Sequence, residues 1–250
     1  MLISDPKIEG VEWKEGVDLA PLTSMGLHCV AQAVATVHSP EALQGFLRCA
    51  SANEWKWFLL GGGSNTVFCV EHFPGVILRL GREFAEVKRI GENILEAGAA
   101  APLSALVRKA ADASLEGLEF CIGIPGQVGG ALWGNAGQKG MSVCPLVEQV
   151  EGFTRSGEPV LLQRGAFAYG YRYSALSQFV LSSIRFVLKT CDSSAIANNL
   201  KGFLSVRRKQ PLGLHSSGCI FKNPEGDSAG RLIDAAGLKG YSIGGAEVSD

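Results

Sequence analysis

Apolar residues along the chain follow two spacings in turn, alternation in short runs and a helical repeat in longer ones, which predicts mixed α and β structure. Residues 28–37 form a β-rich run. Ser39-Pro40 then predicts a helix start, with proline at the first helical position and Leu43, Phe46 and Leu47 on one face. Residues 57–60 return to strand, and 76–80, 85–90 and 93–97 are short β-like runs separated by glycine or charge. A second helix is expected from Pro102, carrying Leu103, Leu106, Val107 and Ala110, with Gly117 just beyond its end. Residues 150–154 and 159–163 flank Ser156-Gly157 as a hairpin, and 179–189 is the longest strand-like run. Two helices close the pattern: 194–209, whose cations Arg207, Arg208 and Lys209 suit a helix C-terminus, and 227–236, closed by Gly237.

Composition narrows the class. The 250 residues suffice for one large domain or two modest ones. An apolar share of 46% and a charged share of 19% are those of an ordinary globular enzyme, but 32 glycines exceed the average usage of about 7% and require a reason. A net charge of -1 gives no footprint for nucleic acid or for an electrostatically held membrane. No run approaches the ~18 apolar residues of a membrane span, and residues 1–15 lack the cationic start and apolar core of a signal peptide. Seven scattered cysteines without a Cys-x-x-Cys spacing argue against a disulfide framework and a zinc site, so a cytoplasmic protein is expected. His28, His38, His72 and His215 show no ligand spacing, and no metal is expected.

Glycine concentrates in two stretches. Gly61, Gly62, Gly63, Ser64 and Asn65 follow an apolar strand, where main-chain N–H groups can cradle phosphate. A Rossmann reading, prompted by Glu83 20 residues beyond Gly63, fails because the chain after the glycines breaks at Pro74 instead of forming a helix. A P-loop is excluded, since no Lys-Ser or Lys-Thr closes the run. The second stretch holds Gly123, Ile124, Pro125, Gly126, Gly129, Gly130, Asn135, Ala136 and Gly137, more glycine than a turn needs. It predicts an extended backbone stripped of side chains beside a long flat ligand. Two such stretches without an acidic ribose partner favour resident FAD, with a nicotinamide as visitor.

Two further stretches could carry chemistry. Arg172 lies among Tyr169, Tyr171 and Tyr173, a setting for an oxyanion site or for a surface cation–π cluster. Cys219, Lys222 and Asn223 follow the flexible Gly218, and on a strand Cys219 and Asn223 would share a face. A buried structural thiol is the plain alternative for such a cysteine.

Taken in order, residues 61–65, 123–137, Tyr171-Arg172-Tyr173-Ser174, Gln210-Pro211 and 218–224 resemble the UDP-N-acetylenolpyruvoylglucosamine reductase (MurB) family. Leu22-Thr23-Ser24-Met25-Gly26, Arg231-Leu232-Ile233-Asp234, Leu238-Lys239-Gly240 and Gly244-Gly245-Ala246 extend the resemblance over nearly the whole chain. It implies an α+β fold of the vanillyl-alcohol-oxidase type, with residues 1–75 and 76–200 as FAD lobes and 201–250 beginning a substrate domain. It implies hydride passing from NADPH through FAD to an enolpyruvyl ether on a UDP-sugar, giving UDP-N-acetylmuramate for peptidoglycan. Residues 61–65 and the second glycine stretch then fall on the flavin. Arg172 matches the arginine that stabilises enolate-like charge, and Tyr171, Lys222 and Asn223 match positions near substrate. Cys219 stands where most members carry a proton-donating serine. The short spacing from Arg172 to Gly218 resembles the type without an inserted substrate-clamping loop. The chain stops at Asp250, where the family continues with a segment that supplies a glutamate, so a fragment is expected. A monomer is expected. A flavin-dependent oxidase and a catalytically dead flavin-binding module are the competing readings.

Overall fold

The computed structural model describes residues 3–138, 140–207 and 215–249. The chain divides into two compact units, Met1–Ser216 and Ser217–Asp250.

The first unit holds two sheets. One contains β1 (Val11–Asp18), β2 (Val30–Val37), β3 (Trp57–Leu59) and β4 (His72–Leu80) in the order β1-β2-β4-β3. β1 pairs antiparallel with β2, whereas β4 runs parallel to both β2 and β3. Parallel neighbours need a crossover, and the one from β2 to β4 runs through α1 (Pro40–Ala52) and β3. Ser39 caps α1 by accepting from the Ala42 N–H at 3.1 Å, and Pro40 occupies the first turn where its missing N–H costs nothing. Leu43, Phe46 and Leu47 bury one face of α1 against Ala33, Ala35, Val37, Val76 and Leu78. The opposite sheet face covers Leu19, Cys29, Ala31, Val34, Leu60 and Ile77. Sheet strands buried on both faces read as near-continuous apolar runs, and β2 is apolar but for Gln32 and Thr36.

The second sheet is antiparallel, with order β11-β10-β14-β6-β5. Along the chain come β5 (Val87–Arg89), β6 (Ile94–Gly98), β7 (Leu115–Glu116), β8 (Gly137–Gln138), β9 (Met141–Ser142), β10 (Val147–Phe153) and β11 (Pro159–Gln163). They are followed by β12 (Tyr169–Gly170), β13 (Tyr173–Ser174), β14 (Val180–Val187) and β15 (Lys189–Thr190). Helix α2 (Leu103–Asp112) lays Leu103, Leu106, Val107 and Ala110 on the cluster around Leu95, Ala97, Ile184 and Phe186. Phe84, Ala100, Phe153 and Val180 join the α1 side of the first core, so the two sheets share packing. Two more helices, α3 (Val128–Trp133) and α4 (Ser193–Arg207), complete this unit.

Glu96 on β6 stands opposite Arg185 of β14 and Lys88 of β5. Its carboxylate meets Arg185 Nε at 2.8 Å and Lys88 Nζ at 3.4 Å. Burial pushes the carboxyl up, but these two cations outweigh it and hold it below the usual range. A depressed carboxylate contributes stability above its unfolded-state pKa and loses it as pH falls through the folded value. Glu96→Gln should therefore cost about 1 kcal/mol at neutral pH. The difference from the parent should close below about pH 4, checked by urea unfolding at both pH values.

In the second unit, α5 (Ala229–Ala235) is capped by Ser228, whose Oγ accepts from the Arg231 N–H at 3.2 Å. Asp227 pairs with Arg231 one turn on, and Gly237 at φ +67 ends the helix. β16 (Ser242–Ile243) and β17 (Ala246–Glu247) form a hairpin around Gly244. None of its described residues is buried.

Several expectations needed correction. The segment expected to be extended across 123–137 contains the helical turns of α3, because the glycines there let the backbone pack close rather than stretch out. No strand forms over 217–224, so Cys219 and Asn223 share no strand face; Gly218 at φ +87 bends the chain instead. Helix α2 ends at Asp112, and Ser114 takes the left-handed position after it at φ +56, while Gly117, at φ +122, stands five residues beyond the helix. The run 179–189 divides into β14 and β15 at Leu188, leaving β4 longer than either, with Pro74 inside it. Arg208, Lys209 and Gln210-Pro211 lie outside the described residues.

Candidate active site

The two glycine stretches meet. Beyond β3, the Leu60 N–H still donates to Leu78 at 2.9 Å, and the chain then leaves the sheet. Gly63 adopts φ +66, and a Cβ there would overlap the Leu22 carbonyl oxygen. A Cβ on Gly62 would lie 3.2 Å from Gly126 Cα, so main chain packs on main chain between the stretches. Ser64 Oγ donates to the Pro125 carbonyl at 3.3 Å across the same junction. Among the described residues, no main-chain carbonyl accepts from the N–H groups of 61–65. Amides without a main-chain acceptor, on a partly exposed turn, are what a main-chain anion cradle requires.

The second stretch is anchored from behind. Val128 N–H donates to Ala101 at 2.9 Å and Gly129 N–H to Ala99 at 2.8 Å, which fixes the entry to α3 while Gly130 faces open space. Residues some 60 positions apart thus form one glycine-rich shelf, with only the Gln127 and Ser64 side chains at the junction itself. That arrangement fits the pyrophosphate and ring edge of a flavin dinucleotide. Gly63→Ala should weaken FAD binding tenfold or more and lower stability by about 1–3 kcal/mol, through strain at positive φ and the Leu22 overlap. Fluorescence titration with FAD and thermal unfolding would measure both.

Asn135, expected beside the cofactor, has a buried side chain committed within the protein. Its Nδ2 donates to the Gly170 carbonyl at 2.9 Å and its Oδ1 accepts from the Cys144 N–H at 3.1 Å. Gly170 ends β12, and Tyr171-Arg172 forms the turn into β13. Arg172 sits at φ +54 and donates from Nη1 to the Gly137 carbonyl at 3.2 Å, with its guanidinium 5.4 Å from the Tyr171 ring centre. The hairpin carrying Arg172 is therefore fastened to 135–137 at two points. Tyr169, Tyr171 and Tyr173 are all exposed beside it.

One set of contacts escaped the sequence reading. Ser24 N–H donates to the Gly63 carbonyl at 3.1 Å, Ser24 Oγ lies 2.6 Å from the Ser216 carbonyl, and His215 Nδ1 lies 3.0 Å from the Ser24 carbonyl. No local periodicity marks partners 39 and 192 residues apart, and the ordered motif around Ser24 was the one signal that singled out that loop.

Cys219, Lys222 and Asn223 belong to the second unit. Cys219 is exposed, as is Cys69, whereas Cys29, Cys121 and Cys144 are buried. Burial pushes the Cys121 thiol up to about 12, which suits a packed, unreactive thiol. Asn223 Oδ1 accepts from the Ala229 N–H at 3.1 Å, closing the turn before α5. A hollow of about 590 Å³ beside Trp55, Trp57, Arg155 and Phe179 lies apart from the glycine shelf. Among the described residues no cluster of His, Cys, Asp or Glu could hold a metal, and no helix is long and apolar enough to cross a membrane.

Residues 31–162 match the model of an FAD binding domain, and 210–250 match the UDP-N-acetylenolpyruvoylglucosamine reductase C-terminal domain. The UDP-N-acetylenolpyruvoylglucosamine reductase of Myxococcus xanthus is 40% identical, over 96% of this chain and 79% of its own. The chain belongs to the UDP-N-acetylenolpyruvoylglucosamine reductase family. The Anaplasma marginale reductase is 35% identical over 98% of this chain and 81% of its own. The crystal structure of the Thermus caldophilus reductase superposes with a TM-score of 0.81 at 36% identity, over 96% of this chain and 84% of that one. An Acremonium strictum glucooligosaccharide oxidase matches 72% of this chain and 40% of its own at TM-score 0.56 and 15% identity, which shows the fold alone. The α+β, vanillyl-alcohol-oxidase-type fold and the FAD expected from the sequence are thereby established, and this reductase-family chain is an FAD-dependent oxidoreductase.

Proposed function

We propose that the protein reduces the enolpyruvyl ether of UDP-N-acetylglucosamine-enolpyruvate to UDP-N-acetylmuramate, with NADPH as the source of hydride. The observation that carries this reading is the glycine shelf with Arg172 fastened to it, in a chain of this family. FAD, when bound, supplies relay of hydride from NADPH to the enolpyruvyl β-carbon. The main chain of 61–65, with Gly123, Ile124, Pro125, Gly126, Gly129, Gly130, Ala136 and Gly137, would hold it. Asn135 acts behind that row, as a positioning residue.

Arg172 would face the substrate carboxylate, where its fixed charge stabilises the electron pair that builds up as the double bond is attacked. The Cys219 thiol gives its proton to the α-carbon, so one hydride and one proton convert the C=C bond to a saturated lactyl ether. Tyr171, Lys222 and Asn223 would orient the nucleotide sugar, with the Lys222 ammonium offsetting its negative charge. Residues 1–75 and 76–200 serve as the flavin lobes in this reading, and 201–250 begin the substrate domain. A cytoplasmic monomer accords with it.

The deciding experiment is anaerobic. NADPH should bleach the bound flavin, and the enolpyruvyl nucleotide should restore its colour with formation of UDP-N-acetylmuramate. Bleaching without recovery would overturn the reading in favour of a binding module. Peroxide formed from a hydroxylated substrate without NADPH would overturn it in favour of an oxidase.

A further inference from the structure

We propose that Ser24 and His215 are positioning residues for proton delivery: together they clasp residues 215–216 to the first glycine stretch, and transfer from the Cys219 thiol depends on that clasp. The proposal rests on the assignment of Cys219 as proton donor.

Every polar group of Ser24 is spent in the clasp. Its N–H donates to the Gly63 carbonyl at 3.1 Å. Its hydroxyl has one proton and two carbonyls in range, Ser216 at 2.6 Å and Gly63 at 3.4 Å, and the short contact is the hydrogen bond. Its carbonyl can only accept, so the His215 Nδ1 at 3.0 Å must carry hydrogen and donate. Two further contacts shape the loop for this purpose. Thr23 Oγ1 accepts from the Gly26 N–H at 3.3 Å, and Gly26 leaves room for the His215 ring, whose atoms would stand 3.2 Å from a Cβ there.

The geometry has a direct chemical reading. Gly63 belongs to the main chain proposed to hold the flavin, and Ser216 stands three residues before Cys219. Three residues span at most about 10 Å, so the point at which the chain is pinned limits where the thiol can reach. Proton transfer needs an approach of about 2.6–3.2 Å, and a displacement of about 1 Å can slow a step roughly 100-fold. A clasp that ties the approach to the thiol to the flavin's own cradle removes that freedom before substrate arrives. The same contacts would be superfluous for hydride transfer from NADPH to flavin, which involves no proton from position 219.

Ser24→Ala tests this cleanly, because it deletes the hydroxyl arm while the N–H to Gly63 and the carbonyl to His215 remain. The expected result is FAD affinity and NADPH-driven bleaching within about twofold of the parent, with reoxidation by the enolpyruvyl nucleotide slowed about tenfold or more. Ser24→Thr should restore the rate, and His215→Ala should reproduce the loss by cutting the other arm. In flavin-free protein, Ser24→Ala should speed deuterium exchange across 215–218. Parental reoxidation, unchanged exchange, or a loss of FAD affinity as large as the loss of reoxidation would each overturn the clasp. If the parent itself is not reoxidised by the nucleotide, the assigned reaction fails instead, and the exchange measurement still judges the clasp alone.

Discussion

Cys219→Ala is expected to accept hydride from NADPH at the parental rate and then stall, with flavin reoxidation by the enolpyruvyl nucleotide slowed about 10²- to 10⁴-fold. The division follows from what the thiol is asked to do. Bleaching needs a held flavin and an approaching nicotinamide, and the main-chain shelf proposed for the first of these includes no group at 219. Saturating the double bond needs a proton at the α-carbon, for which the exposed Cys219 is the assigned source. Cys219→Ser should stay active, because a hydroxyl can serve the same role. Since a thiol loses its proton more readily than a hydroxyl, the serine variant should carry the high-pH limb of the rate profile upward. An alanine variant that turns over at the parental rate would remove Cys219 from the mechanism.

Arg172→Ala should lower kcat about 10²- to 10³-fold, the range found when one preorganised donor to developing negative charge is removed. Its position supports that size of effect. Arg172 is held at φ +54, a conformation that costs a residue with a Cβ about 1 kcal/mol or more and persists only where surroundings enforce it. The enforcing contacts are the β12–β13 pairing, the Gly137 carbonyl and the buried Asn135 beneath Gly170. Arg172→Lys should recover only part of the loss, since an ammonium cannot present the forked, planar donors of a guanidinium. Stopped-flow reoxidation separates this from a binding defect: the rate at saturating nucleotide should fall, while NADPH bleaching should not.

Much of this was legible in the sequence because it is local. The Ser39-Pro40 start of α1, the buried faces of α1 and α2, and the hairpin around Gly157 each depend on residues within one or two turns. The second glycine stretch was located but its conformation was not. Glycine permits both extension and close packing, and contacts from Ala99 and Ala101 decide between them. Alternating positions would put Cys219 and Asn223 on one face only if 218–224 were a strand, and a strand needs a pairing partner that the described residues do not supply. The side chain of Asn135 shows what depends on distant partners. An asparagine inside a glycine-rich stretch looks like a ligand contact, whereas its burial and its two internal bonds appear only once Gly170 and Cys144 fold around it.

Those bonds have a thermodynamic consequence. Residues 135–137 border the proposed flavin shelf and also hold the Arg172 hairpin, through Asn135 to Gly170 and through Gly137 to the guanidinium. Coupling between two binding events is reciprocal. If flavin occupancy tightens 135–137, it must favour the hairpin's resting position by some free energy. A nucleotide that draws Arg172 off Gly137 must then weaken flavin affinity by the same amount. Tuning of the arginine and retention of the cofactor are in that sense a single adjustable quantity, which FAD titrations with and without the nucleotide would read directly.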